Sequence, residues 1–390
     1  MFLQCTENIQ HAADVPVINI QEPDSVIEFR NYFKNFEIYE FETNEVIAEF
    51  SYLIEIGDKF LIKGEDSEGN RLFLFDLTTN NLEPIAKIGK GPKEFKSVKY
   101  VDQLEDNYGI LDYWNKSITK YNLNTIETVE LRLPSAFEAF KFIDTSNIAL
   151  YKSVNQISTA GDVDEYKLTI INSRKENEII NSFFKIDPVL CWERTPPKSN
   201  LYRYKDLICY YETFQDTLYT VLVDKVIPRY IFNRGENQIP KSIMSDSDIK
   251  LGEFMHLCKN SNYIYGISNI NESTNFVFFT YIRNNQLYYS FYDKNKGITQ
   301  SSSKIHDNLL FKTAFPIYTD FLGIKPIGGN EKHLIFTAEP YFIKRKIELI
   351  KKDLNNKRWE TFKKDNPRLL KFFENSSISD NPVIIKYIFI

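Results

Sequence analysis

The sequence predicts an all-β fold assembled from repeated four-stranded units, and three observations carry that expectation. Phe (31) and Tyr (24) are abundant, and both favour the half-buried pleated surface of a strand. A strand, a polar turn and a second strand recur as "RLFLFDLTTNNLEPI", "SITKYNLNTIETVEL", "KLTIINSRKENEIINSFF", "DTLYTVLVDKVIPRYIF" and "LYYSFYDKNKGITQSSS". Asp76, Asn122, Asn172, Asp224 and Asp293 stand at the turn that ends the first strand of each copy, where a short polar side chain bonds its own backbone.

A sixth copy stops half-way, at the terminal "PVIIKYIFI". Shorter apolar runs between the hairpins, among them "YLIEIGDKFLIKG", "YGILDYW", "NFVFFTYIR" and "HLIFTA", supply two further strands per copy. Four short strands with their turns need about 45 to 70 residues, so six units fill the chain. The expected architecture is a six-bladed β-propeller of four-stranded blades, one domain over residues 15–390, preceded by a tail over 1–14. The sixth blade lacks an outer strand, and an N-terminal strand is expected to fill it and close the ring. "FEIYEFE" (Phe36 to Glu42) alternates cleanly and is the first candidate for that clasp; "VPVINI" is the second. Two helical insertions are expected. One lies over "DSVIEFRNYFKNF", with Asp24 and Ser25 as caps and Ile27, Tyr32 and Phe36 on one side. The other spans about residues 340–375, where Ile343, Ile347 and Ile350 keep helical spacing and Pro367 limits a second helix.

Charge excludes one class of partner. Asp plus Glu (53) outnumber Lys plus Arg (48), for a net charge of −5, whereas a nucleic-acid binder needs a concentrated cationic face. The run "IKRKIELIKK" reads as a solvated helix face. Four cysteines without a CxxC pair are too few for a disulfide framework. Cys5, in "MFLQCTEN", has two readings: the lipidated end of a bacterial lipoprotein signal, or an ordinary thiol in the tail. No apolar run has the length of a membrane-spanning helix, so a membrane is expected only through a lipid on Cys5.

The stretch "IGKGPKEF" has the glycines of a phosphate loop but not the pattern. GxxxxGK[ST] and GxGxxG are absent, and a strand follows where a helix is required. Gly89 and Gly91 with positive φ, Pro92 with fixed φ, Glu94 capping free amides and Phe95 buried beneath the bend describe a rigid turn between blades.

Together, "IGKGPKEF", "DTLYTV…VIPRYIFNRG" and "DNPVIIKYIFI" resemble a six-bladed β-propeller family of uncharacterised secreted bacterial lipoproteins, related to NHL-repeat propellers. The resemblance covers nearly the whole chain. This sequence departs from the family at Lys93, where a further glycine is usual, and at "TDFLGI" (Thr319 to Ile324), where "NDxxGG" is usual. The resemblance implies export and a lipid anchor in the cell envelope, or secretion, and no established chemistry.

Catalytic motifs are missing from the sequence. The four histidines form no close pair, and no GxSxG elbow occurs. NHL-like propeller enzymes hold a divalent metal in the channel, and Glu55, Asp102, Asp144 and Asp320 near inner strands are the candidate ligands for calcium in a hydrolase or lyase of that type. The binding candidate is "CWERTPPKSNLYRYKD", where Trp192, Tyr202 and Tyr204 accompany Arg194 and Arg203; flat faces and forked donors suit a glycan, a peptide or a protein partner. The leading expectation is a monomeric, non-catalytic binding or scaffold propeller without a cofactor.

Overall fold

The computed structural model describes residues 15–24, 26–41, 47–66, 69–86, 88, 89, 91, 94–122, 128–153, 166–175, 178–187, 190, 201–312, 318, 319, 324–375 and 381–390. Three short segments come first: β1 (Val17–Asn19), β2 (Ile27–Glu28) and β3 (Phe33–Tyr39). Alternating apolar residues then build four antiparallel strands at a time. Blade one holds β4 (Glu49–Ile56), β5 (Lys59–Asp66), β6 (Gly69–Asp76) and β7 (Asn81–Ala86), and blade two β8 (Tyr100–Leu104), β9 (Asn107–Asp112), β10 (Ser117–Asn122) and β11 (Thr128–Arg132). Blade three holds β12 (Ala139–Phe142), β13 (Asn147–Tyr151), β14 (Tyr166–Asn172) and β15 (Glu178–Lys185). Blade four holds β16 (Leu201–Tyr204), β17 (Leu207–Tyr211), β18 (Thr217–Val221) and β19 (Val226–Asn233). Helices α1 (Lys241–Met244) and α2 (Leu251–Asn260) lead to blade five, made of β20 (Tyr265–Glu272), β21 (Phe276–Arg283), β22 (Gln286–Asp293) and β23 (Ile298–Ser302).

Two-residue strands β24 (Ile305–His306) and β25 (Tyr318–Thr319) join β2 in a small sheet before blade six. Blade six opens with β26 (Ile324–Gly329) and β27 (His333–Ala338), is interrupted by α3 (Pro340–Asp353), α4 (Asn356–Asp365) and α5 (Pro367–Asn375), and resumes with β28 (Val383–Phe389). Its fourth strand is β3, paired antiparallel with β28 from Ile384↔Tyr39 to Phe389↔Phe33. The ring is therefore a six-bladed β-propeller closed by an N-terminal strand, as the half-length sixth repeat predicts.

Three of the five repeated turn residues bond the amides that follow them. Asp76 Oδ1 accepts from Thr78 N and Thr79 N, both at 2.9 Å, Asn172 from Arg174 N at 2.9 Å, and Asp293 from Asn295 N and Lys296 N, both at 3.0 Å. Between blades, large side chains interdigitate. Phe278, Phe291, Phe336 and Tyr387 fill the seam of blades five and six, and Ile343, Ile347 and Ile350 of α3 close it from outside.

Two expectations about the N-terminal region need correction. The segment 24–36 is not a helix: only Phe29–Asn31 makes one 3₁₀ turn, and the chain is extended from Phe33. The spacing of Phe29, Tyr32, Phe33 and Phe36 imitates a helical face, yet pairing with β28 satisfies one edge of β3 along its length, and that long-range sheet wins. "VPVINI" does contain a strand, β1, but it adds in parallel to β19 as a fifth strand of blade four. Helices α1 and α2 are additional to the expectation; α2 buries Phe254 and Cys258, one turn apart.

Candidate functional site: the channel and its rim

The first strand of each blade lies innermost, and β4, β8, β12, β16, β20 and β26 surround a central channel of about 800 Å³. A pleated strand alternates its side chains, so polar residues on these strands reach either the channel or the seam with a neighbouring blade. Glu55 and Asp102 border the channel and at the same time bind across seams.

Glu55, on β4, crosses to blade six. Its Oε1 accepts from Lys386 Nζ at 2.6 Å and its Oε2 lies 2.9 Å from His333 Nε2. Burial raises the Glu55 carboxyl, but His333 and Lys386 outweigh it and hold the group down at about 2. Asp102, on β8, is 2% exposed and takes Lys141 Nζ at 2.6 Å and Phe142 N at 2.8 Å. Burial works against the charge on Lys141; the Asp102 carboxylate outweighs it and raises that ammonium above the ordinary lysine range. Lys141 also donates to Tyr52 Oη at 3.0 Å. Glu272, at the end of β20, accepts from Arg229 Nη2 at 2.8 Å, Tyr230 Oη at 2.9 Å and Lys294 Nζ at 2.6 Å. Burial opposes its ionisation, and the two cations still bring its pKa down.

The four candidate metal ligands are not brought together. Glu55 and Asp102 serve different seams, and Asp144 caps a hairpin by accepting from Ser146 N (2.7 Å) and Asn147 N (2.9 Å). Asp320 lies outside the described residues. Among the described residues no three His, Cys, Asp or Glu side chains gather as a metal site would require.

The binding candidates also part company. Trp192 and Arg194 lie outside the described residues, as does Cys5. Tyr202, Arg203 and Tyr204 form β16 itself, and its pleat separates them. Arg203 turns towards blades two and three, donating to Phe142 O at 2.6 Å with Asp102 Oδ2 at 3.4 Å. Tyr202 turns towards blade five, its Oη 3.4 Å from Glu272 Oε2. Tyr204 leaves the channel altogether and lies under Lys294 (4.5 Å) and Arg229 (5.0 Å). Tyr202 and Arg203 thus line the channel, while Tyr204 packs a seam.

The turn after β7 leads to β8 on the rim between blades one and two. Neither Gly89 nor Gly91 has the positive φ expected of it. Gly89 makes room for a side chain instead: a Cβ there would stand 2.0 Å from Glu94 Oε2, the atom that accepts from Gly91 N at 2.7 Å, and would displace that carboxylate. Phe95 is buried beneath, Gly89 N donates to Phe95 O at 2.9 Å, and Pro92 lies outside the described residues.

Sequence reasoning missed what this turn supports. "YGILDYW" reads as one apolar strand, but the strand ends at Asp112, and Tyr113 and Trp114 stand in the β9–β10 turn. Asp112 followed by Trp-Asn was the available signal, since an aspartate that bonds the next amides starts a turn. On the same rim, Lys63 Nζ donates to Lys99 O at 3.2 Å. Burial first, and then the neighbouring Lys99 charge, push the Lys63 ammonium down to about 8.

A family model for a domain of unknown function, DUF4934, matches residues 15–387. The chain belongs to the DUF4934 family. As a DUF4934 propeller it is similar in structure to a protein of Bacteroides fragilis NCTC 9343 described as a candidate exported protein, at 16% identity and a TM-score of 0.70, covering 95% of this chain and 98% of that one. It is also similar to a DUF4221 family member from Bacteroides vulgatus, at 9% identity and a TM-score of 0.51, covering 91% and 96%. At these identities the likeness is one of fold. No curated protein matches the DUF4934 chain. Among its described residues no helix is long and apolar enough to cross a membrane.

Proposed function

We propose that this chain is a non-catalytic binding propeller of the cell envelope or the extracellular space, which takes its ligand at the central channel. The channel is the observation that carries the reading: at about 800 Å³ it falls within the range of about 300–1,000 Å³ usual for small-ligand sites. Support for a non-catalytic role comes from its ionisable groups. Glu55 and Asp102, on its wall, each hold a cation in a seam and are committed to joining blades. Export is carried over from the description of the B. fragilis relative and from the resemblance to secreted lipoproteins, with Cys5 as the lipid-bearing residue.

Glycan and peptide arrays test the channel. Ser51→Trp and Gln103→Trp each place an indole among its lining residues. Hits that both variants lose while keeping the wild-type Tm support the reading; blank arrays, or hits that both variants retain, refute it. Fractionation of the native host with mass spectrometry of the mature N-terminus tests the destination: a diacyl or triacyl mass on Cys5 is expected, and an unmodified cytoplasmic chain refutes it.

A further inference from the structure

The rim between blades one and two carries an aromatic side chain that no packing explains. Trp114 is 68% exposed, more than any other large apolar residue described, although its turn is held firmly. Asp112, 1% exposed, accepts from Lys96 N (2.7 Å), Trp114 N (3.1 Å), Asn115 N (3.1 Å), Asn115 Nδ2 (2.8 Å) and Ser97 Oγ (3.2 Å), and Ser97 Oγ in turn accepts from Tyr113 N at 3.1 Å. A rigid turn that holds an indole in water gives up hydrophobic stabilisation, and rigid aromatic surface is what a stacking ligand needs.

Cations lie beside it. Trp114 meets Tyr113 edge-on at 5.0 Å, and Lys99 Nζ is 5.7 Å from the centre of the same Tyr113 ring. The indole and the ammonium are therefore no further apart than the span of a disaccharide. Lys63, whose ammonium touches Lys99 O, brings a second positive charge on the channel side. Among the described residues neither lysine has a carboxylate within ion-pair distance, whereas Lys141, Lys325 and Lys386 in and behind the channel wall each have at least one. Burial first and then the Lys99 charge lower the Lys63 ammonium, against a smaller opposing effect of Glu65, and an anion at the lysines would relieve both.

We propose that Trp114, Tyr113, Lys99 and Lys63 form the rim subsite for an acidic saccharide, whose sugar face stacks on Trp114 and whose carboxylate or sulfate lies between the lysines. The inference deepens the channel reading by naming the ligand class, and it rests on that reading only for the continuation of the saccharide inward. A pyranose offers the flat C–H face that an isolated indole can hold, which an acidic peptide lacks. Two lysines on a chain of net charge −5 are too few for a nucleic-acid strand.

The test uses the full chain with galacturonate tetrasaccharide, a heparin tetrasaccharide, neutral galacto-oligosaccharide of the same length and a hexaglutamate peptide, followed by calorimetry and tryptophan emission. At least one acidic saccharide is expected to bind and to blue-shift the emission. Trp114→Ala should abolish binding without changing Tm, Trp114→Tyr should retain it, and Lys99→Ala and Lys63→Ala should each weaken it at least tenfold. Carboxylate and sulfate are separated by which tetrasaccharide binds. Failure of both acidic saccharides, equal binding of the neutral one or of hexaglutamate, or binding unchanged in Trp114→Ala overturns the inference. A ligand lost in Ser51→Trp but kept in Trp114→Ala would overturn the rim subsite and leave the channel reading standing.

Discussion

Replacing Glu55 by Gln removes the charge that joins the first blade to the last. The carboxyl titrates at about 2 in the folded chain against an ordinary 4.5, and one pKa unit is worth about 1.4 kcal/mol. Partial exposure of the pair reduces the full conversion to about 2.5 kcal/mol. Unfolding entropy of about 2.1 cal/mol/K per residue turns that, for a 390-residue chain, into about 3 °C of Tm. The folded pKa is depressed, so the contribution is complete above pH 4.5 and is lost as pH falls through 2; about two-thirds has gone by pH 3. Differential scanning fluorimetry of wild type and Glu55→Gln from pH 7 to pH 3 should show a gap of about 3 °C at neutral pH that narrows towards acid. A gap that stays constant across the series, or one absent at pH 7, would refute the assignment of Glu55 to a structural ion pair with Lys386 and His333.

Other outcomes follow from the same contacts. Phe33→Ala empties a site packed by Phe29, Phe291, Tyr387 and Phe389; it should cost about 3–5 kcal/mol and lower Tm by about 4–6 °C, read by thermal melts. Asp307 is fully buried and bonded to Tyr387, and burial lifts its carboxyl to about 6 against the opposing hydrogen bonds. Its stabilising contribution is present below pH 3.8 and lost as pH rises through 6, so Asp307→Asn should melt higher than wild type at pH 8 and not at pH 4. Calcium at millimolar concentration, or its chelation, should leave Tm unchanged, because Glu55 and Asp102 already hold Lys386 and Lys141; a clear upward shift with calcium would contradict that. Gly89→Ala should displace Glu94 and lower Tm, and Gly89→Ala with Glu94→Ala should recover part of the loss.

The blades were legible in the sequence because each outer hairpin advertises itself locally, through alternation and a polar residue at the turn. The clasp was legible as a vacancy in blade six, yet its start was misplaced. Phe29, Tyr32 and Phe33 look helical until β28 is alongside, and β28 is at the other end of the chain. The same distance hid the fate of the carboxylates. Glu55 is readable as an inner-strand acid, but nothing near it in sequence announces Lys386. Tyr202, Arg203 and Tyr204 look like one patch when written in a row; the pleat sends the middle one to the opposite face. Trp114 went unnoticed because an aromatic next to an apolar run reads as more strand, and only the capture of Asp112 by its own turn shows where the strand stops.

Sharing the sixth sheet between the two ends of the polypeptide also sets the order in which the molecule can be made. Until Val383–Phe389 arrives, β3 has no antiparallel neighbour and the first blade has no completed sixth blade to seal against. A chain still being synthesised is therefore an arc with two raw ends, unable to lock. The seven-residue strand Val383–Phe389 works as a latch, following every other element of the ring in chain order.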